Sequence, residues 1–297
     1  MAIYINSNVS SLNASSYLNR VTSKLNSNYQ KLSSGSRINS AKDDAAGLCI
    51  SDRLTAQING LKQGNRNAGD GIALAQTAEG ALDETTSMLQ RIRTLAEQSA
   101  TGTLTTDDRT SIQDEVTALS DEINRVAEKT SFGGKQILNG KGNGLVNDDG
   151  KVSIQVGAYA NETIDIDFGK VAFNVAGLAA ADGAGAAPSG VLDQAGTHFN
   201  VSTASKAQAT LGYIDDVIKY VDSRRSQFGA VQNRFESTIR NQENIGANVT
   251  DARSRIKDTD YAEEAADYTA NQIRQQVASA ILTQANAKPQ IALGLLG

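Results

Sequence analysis

His198 is the single histidine of this 297-residue chain and Cys49 the single cysteine, so the side chains that most often do acid–base, nucleophilic or metal chemistry each stand alone. One histidine forms no zinc-binding pair and no proton relay. One cysteine forms neither an internal disulfide nor a multi-cysteine metal site. His198 is therefore expected in a loop. Cys49, two residues beyond Gly47 on a helix that should pack, is expected to be a buried small hydrophobe. The neighbours Asp43 and Asp44 read as helix-start charges favoured by the helix dipole, ahead of any metal role. Two glycine patterns imitate phosphate sites and fail. Gly69-Asp70-Gly71 follows a helical stretch and lacks the later glycine of a dinucleotide fingerprint, which leaves a helix that tolerates glycine where a neighbouring backbone packs close. Gly134 with Gly140-Lys141 is one residue too long for a phosphate loop, and Gly142 stands where Ser or Thr is needed. The residues predict a protein that is not an enzyme and carries no cofactor and no metal.

What they do predict is association. Ala266, Ala270, Ile273, Val277, Ala280, Gln284 and Ala287 fall in four-three spacing near the C-terminus, the seam of a coiled coil. Near the N-terminus Leu18, Val21, Leu25, Asn28 or Tyr29, and Leu32 repeat it. The two ends are expected to pair with each other and with other chains. Composition agrees with thin helical bundles: aromatic residues make up 5%, there is no Trp, and only Pro188 and Pro289 could break a helix. The net charge of −5 and the lack of a basic run argue against nucleic acid. No apolar stretch is long enough to span a bilayer. The start, MAIYINSNVSSLNASS, lacks the basic and apolar regions of a cleavable secretory signal, so export would use another route.

Helical periodicity predicts a first helix over 6–32, ended by Ser33-Ser34-Gly35-Ser36. Ser40 with Asp43 resembles a capping arrangement that restarts a helix at Asp43. From there Leu54, Ile58, Leu61, Asn65, Ala68, Ile72, Ala75, Glu79, Leu82, Thr86, Leu89 and Ala96 keep one face to about 100. At about 1.5 Å per residue such a helix runs about 70 to 80 Å. Further helices are expected over 105–129 and 205–256. Between them Val152 to Val156 and Thr163 to Phe168 alternate apolar and polar residues, the period of half-buried strands. The expected fold is mainly α: a long antiparallel helical bundle or coiled-coil rod with a small β-hairpin cap over about 131–204. Residues 1–40 and 258–297 would form a terminal coiled-coil domain, and 41–257 an outer domain of the rod core.

The run Leu32-Ser33-Ser34-Gly35-Ser36-Arg37-Ile38-Asn39-Ser40-Ala41-Lys42-Asp43-Asp44-Ala45-Ala46-Gly47 closely resembles the N-terminal signature of the bacterial flagellins. Asn65-Arg66-Asn67-Ala68-Gly69-Asp70-Gly71, Glu79-Gly80-Ala81-Leu82 and Leu89-Gln90-Arg91-Ile92-Arg93-Thr94-Leu95-Ala96 continue it. Ala285-Asn286, Pro289-Gln290 and Leu295-Leu296 are similar to the family's end. The likeness covers about the first 140 and last 95 residues, a span far more specific than a short motif. The large outer domains of long flagellins are missing, so the chain resembles a short form.

The resemblance implies a structural subunit that self-assembles into the extracellular flagellar filament for swimming. Its partners would be other copies of itself, an export chaperone and the flagellar export apparatus, and the filament cap and junction proteins. It also implies recognition of the monomer by the vertebrate flagellin-sensing Toll-like receptor, through Gln90, Arg91, Leu95, Gln98 and Glu115 by position. Two alternatives remain. One is a hook–filament junction protein, and the other a secreted coiled-coil effector or adhesin that does not polymerise.

Overall fold

The computed structural model describes residues 7–142, 144–181 and 187–294, with side chains to residue 288. The expected helix start at Asn6, part of the Gly/Ala run at 182–186, and Leu295-Leu296 lie outside the described residues, as do the side chains of Pro289 and Gln290. The chain divides into two compact units, residues 1–58 with 247–297, and residues 59–246. The breaks near 40 and 257, where the sequence suggested a boundary, lie inside the terminal unit, because the long helices run on past them.

In the terminal unit, α1 (Val9–Ser34) starts at Asn8, whose side chain accepts the Ser11 N–H at 3.1 Å, and ends at Gly35 with φ 69°. Its covered face is Ala14, Val21 and Asn28, with Ser11, Leu18, Leu25 and Leu32 half-buried between them. Asn28, rather than Tyr29, occupies the ambiguous seam position; Tyr29 is 64% exposed. This face meets α6 (Tyr261–Gly294) in antiparallel order. Asn8 donates to the Ala285 carbonyl at 2.7 Å, Gln275 to Thr22 Oγ1 at 3.4 Å, and Lys31 to Glu264 at 3.5 Å.

The two helix breaks of this unit are stitched together. Arg37 N–H donates to the Lys257 carbonyl at 2.7 Å and Thr259 N–H to that of Gly35 at 3.1 Å. The Arg37 guanidinium caps the Ile256 carbonyl at 2.8 Å. The restart differs from expectation by two residues, since α2 begins at Ala45. Asp43 closes the preceding turn, accepting from the N–H groups of Asn39 and Ser40, which hold its carboxyl below the usual range. Asp44 is the N-cap, accepting the Gly47 N–H at 2.9 Å. Cys49 is exposed, not buried. The covered positions Gly47, Ser51 and Ile58 define one face, and a residue two beyond Gly47 points to the other side.

The central unit is a bundle of α3 (Thr106–Lys129) with the parts of α2 (Ala45–Ala100) and α5 (Ala204–Lys257) that fall within 59–246. Thr105 and Asp108 form a reciprocal capping box at the start of α3. Antiparallel pairing of α2 with α5 is marked by Asp83–Arg225 and Arg93–Asp215, both at 2.7 Å. Leu82, Leu89 and Ile92 meet Val116 and Ile123 of α3 and Ile214, Val221, Phe228 and Phe235 of α5 in one core.

The chain between α3 and α5 adds a two-residue hairpin, β1 (Ser131–Phe132) with β2 (Lys135–Gln136), turning through Gly133 and Gly134 at positive φ. It then adds the expected hairpin, β3 (Lys151–Gln155) with β4 (Thr163–Asp167), and a short α4 (Val175–Ala179). Opposed Val152 and Ile166 bury one face of the larger hairpin, while Ser153 donates to Asp165 on the other. Its tip rests on α2 at glycines. A Cβ at Gly64 would collide with the Val156 carbonyl, and one at Gly60 would come within 2.7 Å of the Ala158 Cβ, whereas Gly71 makes room for the Phe235 ring of α5, a side chain and not a backbone.

Candidate assembly and recognition surfaces

The covered stripe of α6 is Glu264, Asn271, Ala278 and Ala285, with Tyr268, Gln275 and Leu282 half-buried between them. That is a four-three seam, but it is not the apolar one the sequence singled out. Ala266, Ile273, Val277 and Ala280 are exposed, and Ala270 and Ala287 only half-buried. Ile273, Val277 and Ile281 stand 57%, 52% and 54% exposed. The reason is chemical: the face turned to α1 carries the polar partners that bond across, Gln275 to Thr22 and Glu264 to Lys31. The N-terminal half of the seam, Leu18, Val21, Leu25 and Leu32, does face α6. On α1 too, Val9, Leu12 and Tyr17 remain 59%, 67% and 44% exposed. The terminal unit therefore leaves large apolar side chains exposed on both of its helices.

A second candidate surface lies on the α2 and α3 faces of the central unit. Arg91 grips Glu115 through Nε at 2.9 Å and Nη2 at 2.6 Å, both side chains remaining about half exposed. Gln90 and Gln98 are exposed beside them on α2. Leu95 is not: at 3% exposure it belongs to the bundle core. The resemblance implied a contact there, but α2 turns that position inward together with Ile92 and Ala96. The surface is therefore polar and charged, supported from beneath by Leu95.

Two features escaped sequence reasoning. Arg109, 9% exposed, reaches back across the α2–α3 turn to the carbonyls of Ser99 at 2.6 Å, Thr101 at 3.0 Å and Leu104 at 3.3 Å, meeting the negative end of α2. The returning segment 191–201 is stitched to α3 by side chains. Gln113 donates to the Phe199 carbonyl at 2.8 Å and accepts the Val201 N–H at 2.6 Å, and Asn124 donates to the Thr197 carbonyl at 3.1 Å. Gln113 and Asn124, with buried Ser120 between them, lie at helical spacing, so a polar stripe beside the apolar face of α3 is the signal that could have found this.

His198 lies in that segment as a loop residue, with Nδ1 2.9 Å from Asp193 Oδ2 and Nε2 2.9 Å from Asp121 Oδ1. The Asp193 bond, opposed by burial and reinforced by Asp121, raises the His198 pKa. Burial acts to raise the pKa of Asp193, but bonds from His198 and from the Thr197 and His198 N–H groups outweigh it and bring it down to about 2. Among the described residues no group of three or more His, Cys, Asp or Glu is arranged to hold a metal ion, and no described helix is long and apolar enough to cross a membrane.

Comparison with known proteins gives the family. The family model described as the bacterial flagellin N-terminal helical region matches residues 5–143, and that of the bacterial flagellin C-terminal helical region matches 211–296. Polar flagellin F of Vibrio parahaemolyticus is 36% identical over 384 aligned positions, and flagellin C of Vibrio cholerae 38% over 377, each alignment covering all of both chains. Those alignments are longer than the 297 residues of this chain, so the relatives carry segments it lacks. Among solved structures, a putative flagellar hook-associated protein from Vibrio parahaemolyticus shares the fold with a TM-score of 0.55 at 16% identity, covering 73% of this chain and 100% of that one. With both terminal regions matched and full-length relatives above a third identical, the chain belongs to the bacterial flagellins, as a short form of the family.

Proposed function

We propose that this subunit of the extracellular flagellar filament polymerises through the uncovered stripe of α6. Ala266, Ile273, Val277, Ala280 and Ile281 would close against other copies after export of the unfolded chain and its addition beneath the filament cap. The observation that carries this reading is the exposure of Ile273 and Val277 on a helix whose other face is already occupied by α1. Burying such side chains contributes on the order of 1.5–3 kcal/mol each. Contacts between unlike faces of identical subunits do not close, so they build a helical filament. The family assignment favours a filament subunit over a hook–filament junction protein, and over a secreted effector that stays monomeric. Seeded growth followed by electron microscopy tests it: the full chain should extend seeds, and a chain lacking residues 262–297 should not. Filaments of normal length from the truncated chain would refute the proposal.

The free monomer would also offer the Arg91–Glu115 pair, flanked by Gln90 and Gln98, to the flagellin-sensing Toll-like receptor. The fixed, half-exposed guanidinium supports this reading, since arginine is over-represented among the residues that dominate binding energy. Arg91→Ala with Glu115→Ala should weaken receptor signalling by purified monomer at least tenfold. Unchanged signalling would remove the assignment.

A further inference from the structure

We propose that Asp121, His198 and Asp193 form a pH-responsive clasp, which holds the returning segment 191–201 against α3 while the imidazole carries both ring protons. Two ring protons satisfy both carboxylate contacts at once. Nδ1 faces Asp193 and Nε2 faces Asp121, each at 2.9 Å, and only the doubly protonated ring can donate in both directions. The neutral ring leaves one carboxylate facing a nitrogen lone pair. Asp193 from the ring's own loop and Asp121 from α3 are the charged groups that face it, with the hydroxyl of Thr197 3.0 Å from Nδ1. Beyond them Glu122 and Arg125 neutralise each other on α3.

The other side-chain bonds that tie this segment down come from Gln113, Ser120 and Asn124 of α3, Ser99 of α2 and Thr210 of α5, none of which titrates near neutrality. His198 is thus the member of this seam that titrates near neutrality, and the segment it holds contributes the fully buried Phe199 and Val201 to the core. Because the folded pKa is raised, the clasp is complete below the ordinary histidine value of about 6.5 and is lost as pH rises through the folded value.

The test uses the full-length monomer, where one histidine gives one set of ring signals. Its NMR titration should show a midpoint above about 6.5, brought down by Asp121→Asn, whose side chain is 66% exposed and so leaves the fold intact. Above the midpoint, amide exchange at Phe199 and Asn200 should outpace the intrinsic pH dependence, and His198→Gln should abolish that excess. A midpoint at or below 6.5, a midpoint unmoved by Asp121→Asn, or exchange without the excess would each overturn the clasp.

Discussion

In the central unit the large side chains of α5, Ile214, Val221, Phe228 and Phe235, are fully covered by α2, α3 and the hairpin, whereas on α6 Ile273, Val277 and Ile281 stand more than half exposed. The same chain thus closes one core and leaves another surface open. The central unit meets most of its packing needs internally. In the terminal unit α6 meets the Leu18, Val21, Leu25 and Leu32 face of α1 mainly through small and polar residues and keeps its own Ile273, Val277 and Ile281 outside. A face whose apolar residues already packed within the chain could not also join copies, so the polar intrachain seam is what leaves the apolar stripe available. This division follows from where side chains point rather than from how apolar each helix is.

Substitutions should separate the two regions, beginning with the core. Phe235→Ala should lower the stability of the central unit by about 3–5 kcal/mol, read as a shift in urea midpoint, since a fully buried ring leaves a cavity. Arg109→Ala should cost about 2–4 kcal/mol, because three bonds from a buried cation are lost and the carbonyls of Ser99, Thr101 and Leu104 lose their donor. A loss below about 1 kcal/mol would mean that water replaces the guanidinium there. Thr105→Ala should cost about 1 kcal/mol through the lost capping box. Arg91→Ala should change monomer stability by less than about 1 kcal/mol, because an exposed ion pair contributes little. In acid, the depressed pKa of Asp193 stabilises the fold above the ordinary carboxylate value and loses that contribution as pH falls towards about 2. Asp193→Asn should flatten the acid limb of a thermal-unfolding profile over that range.

Much of this architecture was legible. Long unbroken three-four patterns placed α2, α3 and α5 within a residue or two, and alternation found β3 and β4, because each element buries one face against the core and its period reports that face. The signature runs carried the family. Legibility failed where a residue's partner is non-local. The apolar stripe of α6 was real, but periodicity cannot say whether its occupant is α1 or another subunit, and the polar face Glu264, Asn271 and Gln275 won the intrachain contact. Leu95 and Cys49 were misplaced for the related reason that one turn of helix decides inside from outside. Arg109 and the His198 clasp depend on carbonyls and carboxylates brought together by turns, which no spacing in the sequence announces.

The comparison between the two units stands or falls on one variant, Ile273→Asp combined with Val277→Asp, followed by seeded growth under the electron microscope with circular dichroism of the monomer alongside. The expected result is an unchanged helical spectrum and unfolding midpoint with no elongation of seeds. Filaments growing at the normal rate would contradict it, because the open stripe of α6 would then have no part in assembly.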